Sequence, residues 1–389
     1  MRIGSILGSF AMLSLAVQPV AAAEQAPAPL PDIDPVTGLY KPADKDERGL
    51  WMQVDEEERH IKTSPLLITD PGLNDYVRHV FCRTVGANKC RPIRIYLIRT
   101  PDFNAQMYPN GMMEVWSGLL LRTRNEAQLA AVLGHEYTHY EQRHTLKLFR
   151  DIRSKTSTAV WLSMIVGVLG SLMVLPSIFQ HSREMEHEAD VGGLNLMAKA
   201  GYDTREASRI WEQLRAEMDA TAVARNTKSR KDKDQGMWAT HPPSAERVKY
   251  LVDAAVATPG TPGATGSQDY ARAMTGYWPM FVDDQLKRND FGASEFLMDA
   301  LIKDGASDWV SYAHGELYRR RAAAGDLEKA VGFYSDGIKE GAFAALWRGR
   351  GLARLKLGQA DAGKADLVEY LKRSPDAPDR AMIAMMAGG

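Results

Sequence analysis

The chain has 389 residues, a formal net charge of -1, 45% hydrophobic and 25% charged residues, and two cysteines. That length suits two domains better than one, and the balanced charge excludes a global field that would recruit nucleic acid or anionic lipid. The composition is otherwise that of a globular protein with enough apolar material for substantial cores.

The chain begins MRIGSILGSFAMLSLAVQPVAAAEQ, with one early cation, an apolar run to Val17, a break at Pro19 and then small residues. This is the pattern of a secretory signal peptide at residues 1–23, with Ala21 and Ala23 meeting the A-x-A cleavage rule. Residues 24–45 are rich in Pro and Ala and read as a flexible leader. Export would place Cys82 and Cys90, in FCRTVGANKC, in an oxidising compartment, where their short glycine-containing loop allows a disulfide. The alternative is two unrelated buried thiols.

Between FNAQMY and MMEVW, the sequence Pro109-Asn110-Gly111 predicts a tight turn, hence a β-hairpin. An exposed edge of that hairpin would bind an extended peptide through main-chain hydrogen bonds. LAAVLGHEYTHYEQRH follows. The spacing of Leu129, Val132 and Leu133 predicts a helix on which His135 and His139, four residues apart, project from one face. Glu136 directly follows the first histidine. In such an HExxH arrangement two imidazoles bind zinc and the glutamate deprotonates a zinc-bound water. The metzincin continuation needs glycine at 142 and histidine at 145, and Gln142 and Thr145 exclude it. His144, more than a turn past His139 on the same predicted helix, is out of reach of the same metal and reads as a packing or surface histidine.

Catalytic zinc takes three protein ligands and keeps a position for water, so a third ligand must lie elsewhere. The stretch from Ala159 to Phe179 carries no charge and, as a helix, would extend about 32 Å, enough to cross a bilayer. QHSREMEHEADVGG comes next and offers Glu184, Glu186, Glu188 and His187. Geometry alone does not choose among them. Glu186 and Asp190 do share a helical face, so one could ligate while the other holds a ligand histidine.

GHEYTH with SREMEHEAD resembles HExxH followed by SRxxExxAD, the signature of the HtpX-like and CAAX prenyl protease-like gluzincin metallopeptidases. The resemblance continues through NAQMYPNGMMEVWSGLLLRTRNEAQLAAVLGHE and THPPSAER, covering residues 46–255. It implies a mainly α (α+β) fold in which a helical zinc protease domain carries a small β-sheet or hairpin. It also implies one zinc ion per chain on His135, His139 and Glu186, with Glu136 as general base and Asp190 behind a ligand histidine. His241 would face the metal and Arg247 would share the cleft.

A shared metal constrains the apolar run, because His139 precedes it and Glu186 follows it. A single crossing would strand the two on opposite faces of a bilayer. Residues 159–179 are therefore expected to form no transmembrane span but a helix or hairpin packed on protein, with membrane-surface contact as the alternative. The polar run TAVARNTKSRKDKDQ, residues 221–235, predicts a loop that either covers the cleft or merely connects. Pro242 and Pro243 hold His241 out of helix. It either donates to an oxyanion or occupies the open metal position as a latch. Arg247, a permanent cation, is the better-suited oxyanion donor.

Residues 256–268 read as a linker, and residues 269–389 as a helical domain resembling tetratricopeptide repeats. GDLEKAVGFYSDGI and GQADAGKADLVEYL align with Gly325 on Gly358 and Tyr334 on Leu367, close to the period of that repeat. Concave repeat surfaces bind proteins, which suggests recruitment or substrate capture; with the family resemblance, envelope assembly machinery is the partner expected for this domain. The sequence thus describes an exported, periplasmic zinc endopeptidase acting on unfolded or misassembled envelope proteins. The competing reading is a chaperone or assembly scaffold whose zinc site is latent.

Overall fold

The computed structural model describes residues 42–155, 182–232, 244–258, 262–303, 308–340 and 343–388. The expected signal peptide, most of the leader, the apolar run 159–179 and His241 lie outside the described residues. Among the described residues no helix is long and apolar enough to cross a membrane. The fold is mainly helical with one small sheet, the class expected.

Helix α1 (Lys45–Lys62) places Leu50, Val54 and Ile61 on one face, against Tyr108 and Met112 of the hairpin region. Strand β1 (Leu67–Ile68) precedes α2 (Pro71–Val85), which starts with Asp70 accepting from the Leu73 amide and a proline in its first turn. The short α3 (Ala87–Cys90) follows Gly86. Cys82 and Cys90 are joined across this turn, with their Cα atoms 4.9 Å apart.

Strands β2 (Arg94–Ile98), β3 (Ala105–Met107) and β4 (Met112–Trp116) complete a sheet of order β1-β2-β4-β3. β2 and β4 run parallel, whereas β3 pairs antiparallel with β4 from Ala105 opposite Val115 to Met107 opposite Met113. The hairpin predicted around Pro109-Asn110-Gly111 is present. Gly111 adopts φ 83° and its amide donates to the Tyr108 carbonyl at 3.0 Å, while the Asn110 side chain accepts from Met112 N. β3 is left as an edge strand.

After α4 (Ser117–Arg122) comes α5 (Glu126–Glu141), capped by Asn125 accepting from Gln128 N at 2.8 Å. Every residue of α5 from Glu126 to His139 is buried, so this helix runs through the middle of the molecule. Arg143, at φ 56°, ends the helical course and α6 (His144–Lys155) starts afresh. His144 therefore does not continue the helix of His139, and the separation expected between them does not hold.

Helix α7 (Arg183–Lys199), capped by Ser182, packs along α5. α8 (Glu206–Ala224) and α9 (Ala245–Ala257) close over this pair. α8 carries Thr221 to Ala224 in helix, so the polar run predicted as loop begins only at Arg225; its residues 233–235 lie outside the described residues.

The remaining helices are α10 (Ser267–Met274), α11 (Trp278–Leu286), α12 (Phe291–Lys303), α13 (Asp308–Arg321), α14 (Asp326–Glu340), α15 (Ala345–Lys356), α16 (Ala360–Arg373) and α17 (Arg380–Ala387). Gly325 and Gly358, aligned by the sequence repeat, both adopt left-handed backbone, with φ 78° and 75°. The stretch read as a linker is not loose where it is described. Ala264 exchanges main-chain hydrogen bonds with Gly201 and Asp203, and the Thr265 carbonyl accepts from Ala127 N on α5. One apolar core accordingly runs from Leu73 to Leu317, and a second occupies residues 312 to 383. A Pro- and Gly-rich composition signals irregular backbone, and here that backbone finds its partners in the preceding domain.

Candidate metal centre

The helical spacing of α5 places His135 and His139 one above the other, and their Nε2 atoms lie 3.0 Å apart. α7 supplies Glu186, whose carboxylate oxygens stand 3.3 Å from His139 Nε2 and 3.7 Å from His135 Nε2. Ligand atoms of these three buried residues all fall within 4.8 Å of one another. The other acids and the histidine of the same stretch point elsewhere. Glu184 is exposed, His187 packs its ring 4.6 Å from Tyr250, and Glu188 turns to His144.

Each imidazole is held from behind. His135 Nδ1 lies 2.8 Å from Asp190, which also receives two nitrogens of Arg247, at 2.7 and 2.6 Å, and the Tyr250 hydroxyl. Burial alone would raise the Asp190 carboxyl, but the Arg247 charge and the hydrogen bonds from His135 and Arg247 outweigh it and hold it below its ordinary range. His139 Nδ1 lies 2.8 Å from Nδ1 of His144, whose Nε2 is 3.1 Å from Glu188. Burial pushes the His144 imidazole down and so favours its neutral form.

These contacts assign the protons. A carboxylate can only accept, so His135 donates at Nδ1 to Asp190 and keeps a lone pair at Nε2. Neutral His144 donates a hydrogen bond from Nε2 to Glu188 and accepts at Nδ1, which makes His139 the donor there and leaves its Nε2 unprotonated as well. Two lone pairs and a carboxylate then converge in a buried site, an arrangement that a cation stabilises and that repels itself otherwise. The donor set of two imidazoles and one carboxylate fits zinc, with a position left for water.

Glu136 lies alongside, one oxygen 4.0 Å from His135 Nε2 and the other accepting from Met107 N of β3 at 3.3 Å. The amides of β3 that face β4 alternate with those that face away, and Met107 N is one of the latter. The edge strand therefore lies against the acid side of the metal group.

Arg247, at the start of α9, shares the cleft, and its buried Nη1 has no hydrogen-bond partner among the described residues. The side chain is buried, stacked 3.7 Å over the Trp211 ring, clamped on Asp190 and 3.4 Å from Glu186. Two of its nitrogens, Nε and Nη2, hold the Asp190 carboxylate that orients His135. The contact of His144 with His139 escaped the sequence reading, which kept both on one helix, because the helix breaks at Arg143, where no turn-forming residue announces it. The available signal was a third histidine five residues after His139.

At the other end, Glu126 anchors the N-terminus of α5. It accepts from the Tyr76 hydroxyl at 3.0 Å, the Tyr202 hydroxyl at 3.3 Å and Arg83 at 3.3 Å. The helix that carries both histidines is thus fixed by its cap, its first acid and its crossing with α7.

The sequence matches peptidase family M48 over residues 69–255. A Vibrio cholerae relative is 25% identical over 381 residues, 92% of this chain and 66% of its own length. The beta-barrel assembly-enhancing protease of Yersinia pestis is 25% identical over 296 residues, 69% of this chain and 57% of that protein. The mitochondrial metalloendopeptidase OMA1 of Schizosaccharomyces pombe is 29% identical over 182 residues, 45% of this chain and 51% of that protein. The chain thus spans between about half and two thirds of these relatives' length. With its paired histidines on α5 and its carboxylates on α7, the segment 69–255 belongs to peptidase family M48.

Proposed function

We propose that the protein is an exported zinc endopeptidase that hydrolyses peptide bonds in unfolded or misassembled envelope proteins, with its C-terminal helices, TPR-like in their sequence repeat, engaging partner proteins of the envelope assembly machinery. The observation that carries the reaction is the position of Glu136, between the convergent Nε2 atoms of His135 and His139 and the main chain of β3. A base lies there beside both a metal-binding group and a strand edge that could align a substrate.

Zinc held by His135, His139 and Glu186 would supply a Lewis acid and a water of lowered pKa. Glu136 takes the proton from the attacking water and delivers it to the leaving amine, moving between the two sides of the scissile bond. The edge of β3 receives the substrate as an added strand, which selects extended, unfolded segments over a particular sequence. Asp190 and His144 keep the two imidazoles in the tautomer that leaves Nε2 bare, and Arg247 keeps Asp190 ionised.

Export is supported by the N-terminal cleavage pattern and by the joined pair Cys82 and Cys90, a feature of oxidising compartments. An envelope substrate is supported by the likeness to the beta-barrel assembly-enhancing protease of Yersinia pestis. The test is cleavage of casein by the purified protein and by Glu136→Gln. Metal-dependent cleavage lost in the variant upholds the reading. Full metal content with no cleavage by either protein overturns it in favour of a scaffold.

A further inference from the structure

A cavity of about 710 Å³ lies between the last turns of α8 and the junction of α11 with α12, and its volume falls within the range of sites that hold ligands. None of the metal ligands lines it. Three of its cations already have carboxylates. Arg122 is bonded to Glu217 at 2.7 Å, Arg225 to Asp290 at 3.1 Å, and Arg288 to Asp102 from outside the cavity. Lys228 and Arg230 also line it, are exposed, and have no ion pair or hydrogen bond among the described residues. Two positive charges on the wall are therefore left without a counter-charge.

Both are held in place. Their segment leaves α8 through Asn226, at φ 51°, and the Thr227 amide donates to the Ala222 carbonyl at 2.9 Å. Beyond them Lys231 pairs with Asp219 at 2.6 Å, and Arg215 donates to the Lys231 carbonyl at 3.1 Å. Lys228 and Arg230 thus sit between two anchors on α8, and a ligand that pairs with them has less backbone to order.

The cavity adjoins the edge strand. Asp102, paired with Arg288, and Pro101, whose carbonyl accepts from Arg122 at 3.1 Å, lie just ahead of β3. Met107, whose amide meets Glu136, comes five residues after Asp102, about 17 Å in extended chain. A polypeptide laid along β3 with its scissile bond at Glu136 reaches the cavity over that span. We propose that the cavity receives acidic side chains of this polypeptide, roughly five residues from the bond that is cut, with Lys228 and Arg230 as their partners. Charge rather than shape then selects the segment, which favours Asp and Glu without fixing a sequence. The proposal rests on the peptidase reading, with strand addition at β3, for its choice of ligand.

The test uses the full chain as Glu136→Gln and a fluorescein-labelled, C-terminally amidated peptide with a pair of Glu residues at each end, so that either strand direction is served. A twin peptide carries Gln at those positions, and anisotropy follows both. The Glu peptide should bind about fivefold to tenfold more tightly than its twin. That difference should vanish in Lys228→Ala with Arg230→Ala, at parent melting temperature and metal content, and persist in Lys356→Ala with Lys364→Ala, which removes the same charge from exposed sites elsewhere. In the otherwise wild-type chain the first pair of substitutions should raise KM for a quenched Glu peptide to that for the Gln peptide. Absence of binding by the parent, equal binding of the two peptides, or a difference that survives the first pair or is lost equally in the second overturns the acidic site. If the wild-type chain cuts nothing yet the difference follows Lys228 and Arg230, the acidic site stands and the peptidase reading falls.

Discussion

The crossing of α5 with α7 and the stack of α13 to α15 both depend on glycine, but for different ends. At the crossing, a Cβ on Gly193 would lie 2.7 Å from the His135 main-chain nitrogen, so backbone rests on backbone. In the stack, a Cβ on Gly349 would meet the Tyr334 ring at 2.3 Å, so backbone rests on a side chain whose hydroxyl reaches Glu316 at 2.6 Å. Backbone cannot yield without moving a helix, whereas a ring can tilt. The first contact therefore sets the distance between metal ligands carried on two helices, and the second sets only packing. The same division appears in the charges: the crossing buries His135, Glu136, His139, Glu186, Asp190 and Arg247 together, an expensive group for a fold to hold without a chemical use.

Five outcomes would sharpen or break that contrast. The largest effect belongs to Glu136→Gln, which should lower casein cleavage by about 10³-fold with metal content and melting unchanged. Gly193→Ala comes next, at about 3 kcal/mol of stability together with loss of bound metal. Gly349→Ala should cost about 1 kcal/mol and keep the metal, read by chemical denaturation and metal analysis. Equal metal loss in the two glycine variants would mean that the stack, too, governs the centre.

His144→Ala should weaken zinc binding by about 10- to 100-fold in a chelator competition, with partial recovery in His144→Gln. Retention of full affinity in His144→Ala would remove it from the support of His139. The smallest effect lies on the sheet side of the same region, at Glu58. Burial pushes that carboxyl up, but hydrogen bonds from Arg94 and Tyr96 and the Arg94 charge hold it at about 2, against 4.5 when free. Its contribution is complete above about pH 4.5 and disappears as pH falls toward 2. Glu58→Gln should melt roughly 2 °C below the parent at neutral pH, and the gap should close over that acid window. A gap independent of pH would mean that the lost contact, rather than the charge, is responsible.

Local features were legible. The hairpin at Pro109-Asn110-Gly111 followed from turn chemistry, and the common face of His135 and His139 from a helical turn of four residues. The equivalence of Gly325 and Gly358 followed from repetition. Features that depend on distant partners were not. The linker reading of residues 256–268 used composition alone and could not register that the Gly201 carbonyl accepts from that backbone while the Asp203 and Ala127 amides donate to it. Arg247 was correctly drawn into the cleft, yet its grip on Asp190 depends on where α9 crosses α7.

By itself the sequence determined the chemistry available: two imidazoles and a base at one helical spacing, and a further group of carboxylates downstream. Periodicity is a property of neighbouring residues, so it survives without a fold. Spacing left Glu186 level with Glu184, Glu188 and His187 and only the family resemblance singled it out; the tertiary structure brings it to the histidines, and it alone decided that His144 supports His139 and that one core continues to Leu317. Those outcomes follow from the close crossing at Gly193 and the helix break at Arg143, which bring together atoms far apart along the chain or on opposite sides of a turn, and no local spacing encodes such distances.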